Sequence, residues 1–409
     1  MKYKELFVII GFFYMCVGCS KEEVLRLSKD EIKVHTASKL TEDTKRLIVQ
    51  FKEFVPDWKK KALRLKYQVT AFDVCANCPD GVLELWLFGE GVDIEDKKAS
   101  IKAGSGGPEG EIVAVNTDFK FETKTVSPVS LPLVQQADFR TKVVEQNKGV
   151  SIAVLDTGIY ADHPAFTEAF LYNTSHLGLQ DIAGWDFVNN DENCFDDHEY
   201  RHGTMVTYLL YTHLKERIPF QILPVKICDA KGTASYFNLL CGLYYALPKV
   251  QLVNISMGWY DSSKKLDMSI FENLLSAYKE EVTVICSAGN QSKNADQVGH
   301  YPSGFQSSNV ISVAAANTES ADSASFTNFG SSSVDFFAKG ERIGYYNSEG
   351  AVLEISGTSF AAPLVTAVAA RELHARKLKI TPHELIKRLC NIGDSVVFSV
   401  PVKYNKLLH

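Results

Sequence analysis

The chain has 409 residues, 45% of them hydrophobic and 22% charged, enough apolar material for one large core and a smaller second one, so two domains are expected behind a short leader. Its 43 Lys+Arg against 49 Asp+Glu give a formal net charge of -6. That balance offers no broad basic face to a nucleic-acid backbone, and a peptide or protein partner fits better.

The first residues carry Lys2 and Lys4, an apolar run from Leu6 to Val17, and then Val17-Gly18-Cys19. A basic start, a short apolar stretch and small residues form a secretory signal, too short for a permanent span. The ending resembles a bacterial lipobox, with Cys16 where that pattern usually has Leu. The expectation is a signal peptide over 1–18, lipidation of Cys19, export and anchoring to a bacterial membrane. Ser20-Lys21-Glu22-Glu23 resembles a surface-export tag. Past Cys19, an odd number of cysteines remains, namely 75, 78, 194, 228, 241, 286 and 390, which argues against a full disulfide framework. Cys228, Cys241 and Cys286 lie in apolar runs and read as small buried hydrophobes. Cys75-Ala-Asn-Cys78 reads as a local disulfide, a redox pair or half a zinc site. No second CxxC or His pair accompanies it, which favours a turn-closing bridge over zinc.

Residues 19–125 read as a smaller N-terminal α+β or β-rich domain. Thr41 to Phe51 has the spacing of an amphipathic helix opened by an N-cap. Leu63–Val74, Val82–Phe88, Ile112–Val115 and Phe119–Phe121 are strand-like, punctuated by Gly104-Ser-Gly-Gly-Pro108. Ser127 to Pro132 reads as an extended connector. Residues 126–409 change character. Apolar runs at Val150–Leu155, Gln221–Ile227, Leu252–Met257, Val282–Cys286, Val310–Ala314 and Val334–Phe337 alternate with helical or loop segments. That alternation predicts an α/β fold with a mostly parallel sheet covered on both faces, whose chemistry lies beyond the carboxyl ends of its strands.

Three segments fall at such ends. Asp156 closes the first strand in Val154-Leu-Asp-Thr-Gly-Ile159. His202 opens an apolar helix in Arg201-His-Gly-Thr204. Ser359 opens a second apolar helix in Ser356-Gly-Thr-Ser-Phe-Ala-Ala-Pro363, with Pro363 expected in its first turn. A carboxylate can hold an imidazole in one tautomer, and the imidazole can take a proton from a hydroxyl set at a helix N-terminus. His163 and His198 lack the glycine-threonine setting of His202. In this order the segments resemble the subtilisin-like serine peptidases, over about residues 130 to 409. The resemblance implies a three-layer subtilisin-like sandwich and an acyl-enzyme endopeptidase with Asp156, His202 and Ser359 as its triad. Ser287-Ala-Gly-Asn290 is similar to the family's oxyanion segment, which implies Asn290 as the side-chain donor. One departure is Met205, Thr207 and Tyr208 after His-Gly-Thr, where the family commonly has His, Ala and Gly; it implies different packing behind the catalytic helix.

The resemblance extends to substrate binding. Ser256-Met257-Gly258 is similar to the edge segment that pairs with substrate backbone, and with Ser287, Ala288 and Gly289 it would wall the S1 pocket. His300, in His300-Tyr-Pro302, would make the bottom of that pocket partly polar, against the plainer reading of a surface loop histidine. The acidic run Asp191 to Glu199 would shape neighbouring subsites, hold calcium, or simply be a solvated loop. No cofactor is required for the chemistry, structural calcium is an expectation of the family, and the metal ligands are unassigned. Many relatives carry an N-terminal prodomain that assists folding and blocks the cleft, so 19–125 would be that or a permanent spacer. If a prodomain, cutting the connector would release the catalytic domain from its anchor. Two other readings use the same sequence: a dedicated peptide-maturation protease or transpeptidase, and a non-catalytic peptide-binding protein on the same scaffold.

Overall fold

The computed structural model describes residues 40–409 apart from 79–80, 106–109, 123–138, 176–182, 262–264 and 318. The signal segment, Cys19, the connector and the 125/126 boundary lie outside the described residues. Among the described residues no helix is long and apolar enough to cross a membrane.

The N-terminal module runs β1 (Thr41–Phe51), α1 (Asp57–Lys66), β2 (Ala71–Val74), β3 (Leu83–Leu87), α2 (Ile94–Ser105) and β4 (Ile112–Glu122). The helix expected over 41–51 is therefore a strand. Leu47, Ile48 and Val49 are each fully buried, and successive side chains enter different cores. Leu47 and Val49 pack with Tyr67, Trp86 and Ile101 beneath α1 and α2, whereas Ile48 belongs to the core shared with the rest of the chain. A strand sends neighbours to opposite faces and satisfies both demands, whereas a helix would put three consecutive apolar residues on diverging sides. The strand expected over 63–74 is likewise corrected. Its first part completes α1, whose DWKKKALRLK is rich in good helix formers, with Asp57 in the first turn and Arg64 and Lys66 in the last. Only Ala71–Val74 is extended. The two strands expected over 112–121 are one.

The larger unit contains β5 (Val150–Asp156), β6 (Trp185–Asp186), α3 (His202–Leu214), β7 (Phe220–Lys226), β8 (Thr233–Ser235), α4 (Tyr236–Ala246), β9 (Leu252–Ile255), β10 (Trp259–Asp261) and α5 (Ser269–Ala277). It continues with β11 (Thr283–Ser287), β12 (Gly299–Tyr301), β13 (Val310–Asn317), β14 (Asp322–Ser323), β15 (Phe336–Lys339), β16 (Ile343–Tyr346) and β17 (Val352–Ile355). It closes with α6 (Thr358–Ala375), α7 (Pro382–Ile392), β18 (Asp394–Ser395) and β19 (Lys406–Leu408). The main sheet has the order β18-β19-β15-β13-β11-β9-β5-β7-β6, with β14 on β13, and every pair is parallel except those of β14 and β18. Along β5, Ile152 and Val154 face α3 and α6 while Ala153 and Leu155 face α4 and α5. The sheet is thus the middle of three layers, as the unbroken apolar runs predict. β5 is flanked by β7 on one side and β9 on the other, so the order reverses there and opens a crevice at its carboxyl end.

The two units share one sheet and one core. Strand β8 extends the module's antiparallel sheet to the order β2-β3-β1-β4-β8, through Lys120↔Ser235 and Phe121↔Ala234. Phe119 stacks on Tyr236 with centroids 4.6 Å apart, and Phe119 and Phe121 both contact the Trp259 ring. Buried polar groups also pin this seam. Asp118 accepts from the Phe237 amide at 3.0 Å, Asn116 from the Ile270 amide through its Oδ1 at 3.1 Å, and Gln50 donates to the Tyr244 hydroxyl at 2.6 Å.

Candidate active site

Asp156, His202, Asn290 and Ser359 are brought to the carboxyl end of β5, each by a separate element. Asp156 ends β5 and is 1% exposed. Its Oδ1 accepts from the Thr157 amide at 2.7 Å and lies 2.8 Å from His202 Nδ1. His202 is the first residue of α3 and is fully buried. This helix start can lie against the β5 turn because residue 203 is glycine: a Cβ there would sit 2.3 Å from the Gly158 carbonyl oxygen. The turn is stapled on both sides. Thr157 Oγ1 accepts from the Gly203 amide at 2.8 Å, and Asp196 Oδ2 accepts from the amide and hydroxyl of Thr204 at 2.9 and 2.7 Å. Lys226, buried at the end of β7, donates to the Thr157 carbonyl at 2.8 Å and pairs with Asp197 at 2.6 Å.

Burial works against a charged His202, but the Asp156 carboxylate beside it, aided by Asp196, more than offsets this and raises its pKa above the usual imidazole value. The other ring nitrogen, Nε2, is buried and makes no hydrogen bond within the described residues. His202 also lies against Phe360, with ring centroids 5.6 Å apart, which puts the imidazole beside the head of α6. Ser359 is there, second in α6 and 5% exposed.

The sequence places Pro363 in the first turn of α6, but it is the sixth residue of the helix, past the free amides of that turn. Its missing N–H would have bonded the Ser359 carbonyl. Ser256 fills that gap, donating its hydroxyl to the Ser359 oxygen at 2.7 Å. The Ser256 side chain therefore holds the helix head rather than walling a substrate pocket.

Asn290 is oriented by Thr358. The Thr358 amide and hydroxyl donate to Asn290 Oδ1 at 2.8 and 2.9 Å, and Thr358 Oγ1 in turn accepts from the Gly289 amide at 3.1 Å. With Oδ1 engaged, the two N–H donors of Nδ2 are left for another acceptor. From the sequence Thr358 is only part of the serine motif, and its role in orienting Asn290 is visible only in the structure. Asp196 was overlooked because it sits in a charge run that reads as a solvated loop.

The expected substrate-binding residues divide by what their side chains touch. Residues 256–258 follow β9 and pair with no described strand, so their backbone is free to take one. Met257 is buried in the core with its sulfur 3.5 Å from Cys228 Sγ. Ser287 and Ala288 are buried, and Ala288 packs with Ala314 and Phe337 behind the site. Gly258 and Gly289 converge on His300. A Cβ on Gly258 would lie 2.7 Å from His300 Cε1, and one on Gly289, at φ +99°, 2.9 Å from His300 Nε2 and 2.8 Å from the Tyr260 hydroxyl. His300 is thus a buried residue of β12, not a surface loop histidine. Its Nδ1 is 2.7 Å from Ser303 Oγ, and burial, with a smaller push from Lys293, lowers its pKa to about 3.

A model of the subtilase family matches residues 147–392. The chain belongs to the subtilase family. It is a serine protease of that family by its relatives as well as its fold. It is 29% identical over 275 residues to an intracellular serine protease of Paenibacillus polymyxa, covering 64% of this chain and 74% of that one. It is 26% identical over 257 residues to thermitase of Thermoactinomyces vulgaris, covering 61% and 82%. A cold-adapted subtilisin-like serine proteinase superposes with a TM-score of 0.52 at 25% identity, over 68% of this chain and 94% of that one. The epidermin leader peptide processing serine protease of Staphylococcus aureus shares the fold over 90% of this chain and 96% of its own, with a TM-score of 0.61 at 17% identity. That likeness reaches well beyond the residues of the family model.

Proposed function

We propose that Ser359 is the nucleophile of this protease, His202 its general base and then acid, Asp156 the group that orients the imidazole, and Asn290 the side-chain donor to the oxyanion. The observation that carries this reading is the committed state of the His202 ring: Nδ1 is held by Asp156 while buried Nε2 has no partner within the described residues. A base needs one nitrogen fixed and the other open to the proton it receives. In the reaction, Nε2 takes the Ser359 hydroxyl proton as Oγ bonds to the scissile carbonyl carbon. The carbonyl oxygen, now negative, is met by Asn290 Nδ2. Nε2 then gives its proton to the leaving amine, and water repeats the sequence on the acyl-enzyme. The substrate strand lies along residues 256–258, with its P1 side chain directed toward Gly258, Gly289 and uncharged His300. A fluorophosphonate probe tests the assignment. Matured wild type should give a labelled band and Ser359→Ala none; a folded, matured wild type that takes no label would overturn it.

The N-terminal module acts as a prodomain, anchored to a bacterial membrane through Cys19, lipidated once the leader is removed, and parted from the protease when the connector is cut. In support, the module covers apolar surfaces of α4 and α5 through Phe119 and Phe121, the sort of face a folding partner would stabilise. Antibodies to each part distinguish this from a permanent spacer. The protease should appear in the soluble fraction without the module, and detection of intact chain alone in the membrane would remove the prodomain reading.

A further inference from the structure

Three sulfurs meet across the seam between the two units. Cys75 and Cys78 follow β2 of the module and are joined as a disulfide. Cys241 lies in α4 of the protease as a free, buried thiol, and its Sγ is within 4.8 Å of both of theirs. Among the described residues this is the only grouping of three metal-ligating or thiol side chains so close. A pocket of about 530 Å³ runs along the seam, with Cys75 and Cys241 both in its wall beside Phe72, Val74, Ala234 and Phe237. Among the described residues Cys228, Cys286 and Cys390 belong to no such grouping. Burial as an ordinary small apolar side chain explains Cys241 alone, but not its placement against a disulfide belonging to the other unit.

We infer that Cys241 exchanges with the Cys75–Cys78 disulfide, forming a covalent Cys75–Cys241 bond that fastens the N-terminal module to the protease. Cys241 loses its proton and its thiolate attacks Cys75 Sγ. The Cys241–Cys75 bond forms as Cys75–Cys78 breaks, and Cys78 leaves as a thiolate that takes up the proton. No net oxidation occurs, so no oxidant is required. Attack on Cys75 is preferred because the departing Cys78 is partly exposed while Cys75 is 3% exposed, so this route leaves the new thiolate in contact with water. Burial, and secondarily the Asp118 carboxylate, hold the Cys241 thiol well above its ordinary pKa, so exchange is slow while the seam stays closed and proceeds when it opens. The linked form would keep the module seated after the connector is cut. The Cys78 thiolate attacking Cys75 Sγ would reverse it, re-forming Cys75–Cys78 as Cys241 leaves and takes up the proton. This consequence rests on the reading of the module as separable; the exchange itself does not.

The test uses the full chain in the Ser359→Ala background, held in a mixed oxidised and reduced glutathione buffer and mapped by non-reducing peptide mass spectrometry. A Cys75–Cys241 linked peptide is expected alongside Cys75–Cys78. It should become the dominant linkage in Cys78→Ser and be lost in Cys241→Ser, with circular dichroism reporting that each variant folds. The inference is overturned if Cys75–Cys78 is the sole linkage in every buffer and Cys75 and Cys241 both stay free to alkylation in folded Cys78→Ser. Equally, one zinc per reduced chain that protects all three thiols and prevents linkage would overturn it in favour of a metal site. Cutting the connector with an added protease then separates the two readings. Linked chain should run as one band on a denaturing gel without reductant and as two with it. If cut, reduced and unlinked chain still co-elutes as one particle under native conditions, the separable-module reading fails while the peptide map still reports on the exchange.

Discussion

The two faces of the main sheet are built for different work. On one, α3 and the alanine-rich α6 cover β5, and polar groups near the site are paired: Thr157 with Gly203, Asp196 with Thr204, Thr358 with Asn290, Ser256 with the Ser359 carbonyl. Among the described residues the buried exceptions there include His202 Nε2 and Asp156 Oδ2, of which the first is the atom proposed to accept a proton. On the other face, α4 and α5 meet the module through packed aromatics and a few hydrogen bonds from buried Asp118 and Asn116. Catalysis asks for a few unsatisfied polar atoms inside an otherwise satisfied frame. Docking asks for apolar area removed from water.

The largest effect should come from the catalytic face. Ser359→Ala or His202→Ala should cost roughly 10⁶-fold in kcat, the size known for these roles in subtilisin itself, with thermal unfolding little changed. A full stopped-time assay on peptide substrate against a matched melting curve checks both halves. Phe119→Ala should do the reverse. Removing a fully buried ring that stacks on Tyr236 and Trp259 should destabilise full-length chain by about 3–5 kcal/mol, measured by denaturant unfolding in the Ser359→Ala background. A protease parted from the module lacks residue 119 and keeps the wild-type kcat, so the unfolding curve of the full-length chain carries this test alone. Next, Asn290→Ala should lower kcat by about 10²–10³-fold with KM little altered, again a magnitude the corresponding subtilisin donor provides. A smaller loss, about tenfold, is expected for Thr358→Val, because the backbone amide still holds Asn290 Oδ1 when the hydroxyl is gone. Steady-state kinetics on the pair would show whether Thr358 acts through Asn290, since the double variant should be no worse than Asn290→Ala.

The same contrast decides what could be read from residues alone. Asp156, His202 and Ser359 each sit at a strand end or helix start whose apolar run is unambiguous, and Asn290 follows three residues after such a strand, so their elements and the active end follow from local pattern. Segment 41–51 failed because its burial is divided between two partners, one of them over a hundred residues away in sequence; Leu47-Ile48-Val49 has no single period that reports this. Thr358, Asp196 and Ser256 are supporting groups whose partners are fixed only once the chain has folded. The Cys75-Ala-Asn-Cys78 spacing leaves a bridge, a redox pair and half a zinc site open, and only the structure shows the pairing; Cys241 reads as buried from its apolar run, while its neighbours across the seam are not readable at all.

The smallest predicted effects concern protons, and they run in opposite directions within one site. His202 has a raised pKa, and it must be neutral to act, so kcat/KM should climb with pH through a midpoint above the ordinary imidazole value of about 6.5. His300 and His163 are lowered, chiefly by burial, to about 3 and about 4. Neither carries charge at neutral pH, so the kcat/KM ratio of otherwise matched substrates with Gln and Glu at P1 should gain no favour for Glu as pH falls from about 8 to 5. Their protons matter instead to folding. An unfolded chain binds them near pH ~6.5 and the native chain only far lower, so their stabilisation is complete above that value and is lost as pH falls toward the native pKa. His300→Gln should therefore flatten the acid side of a stability-versus-pH curve by up to about 1.4 kcal/mol per pH unit, while the kinetic midpoint set by His202 stays where it was. If the kinetic midpoint moved with His300 instead, the two histidines would be one coupled system, and the uncharged pocket floor inferred from burial would not hold.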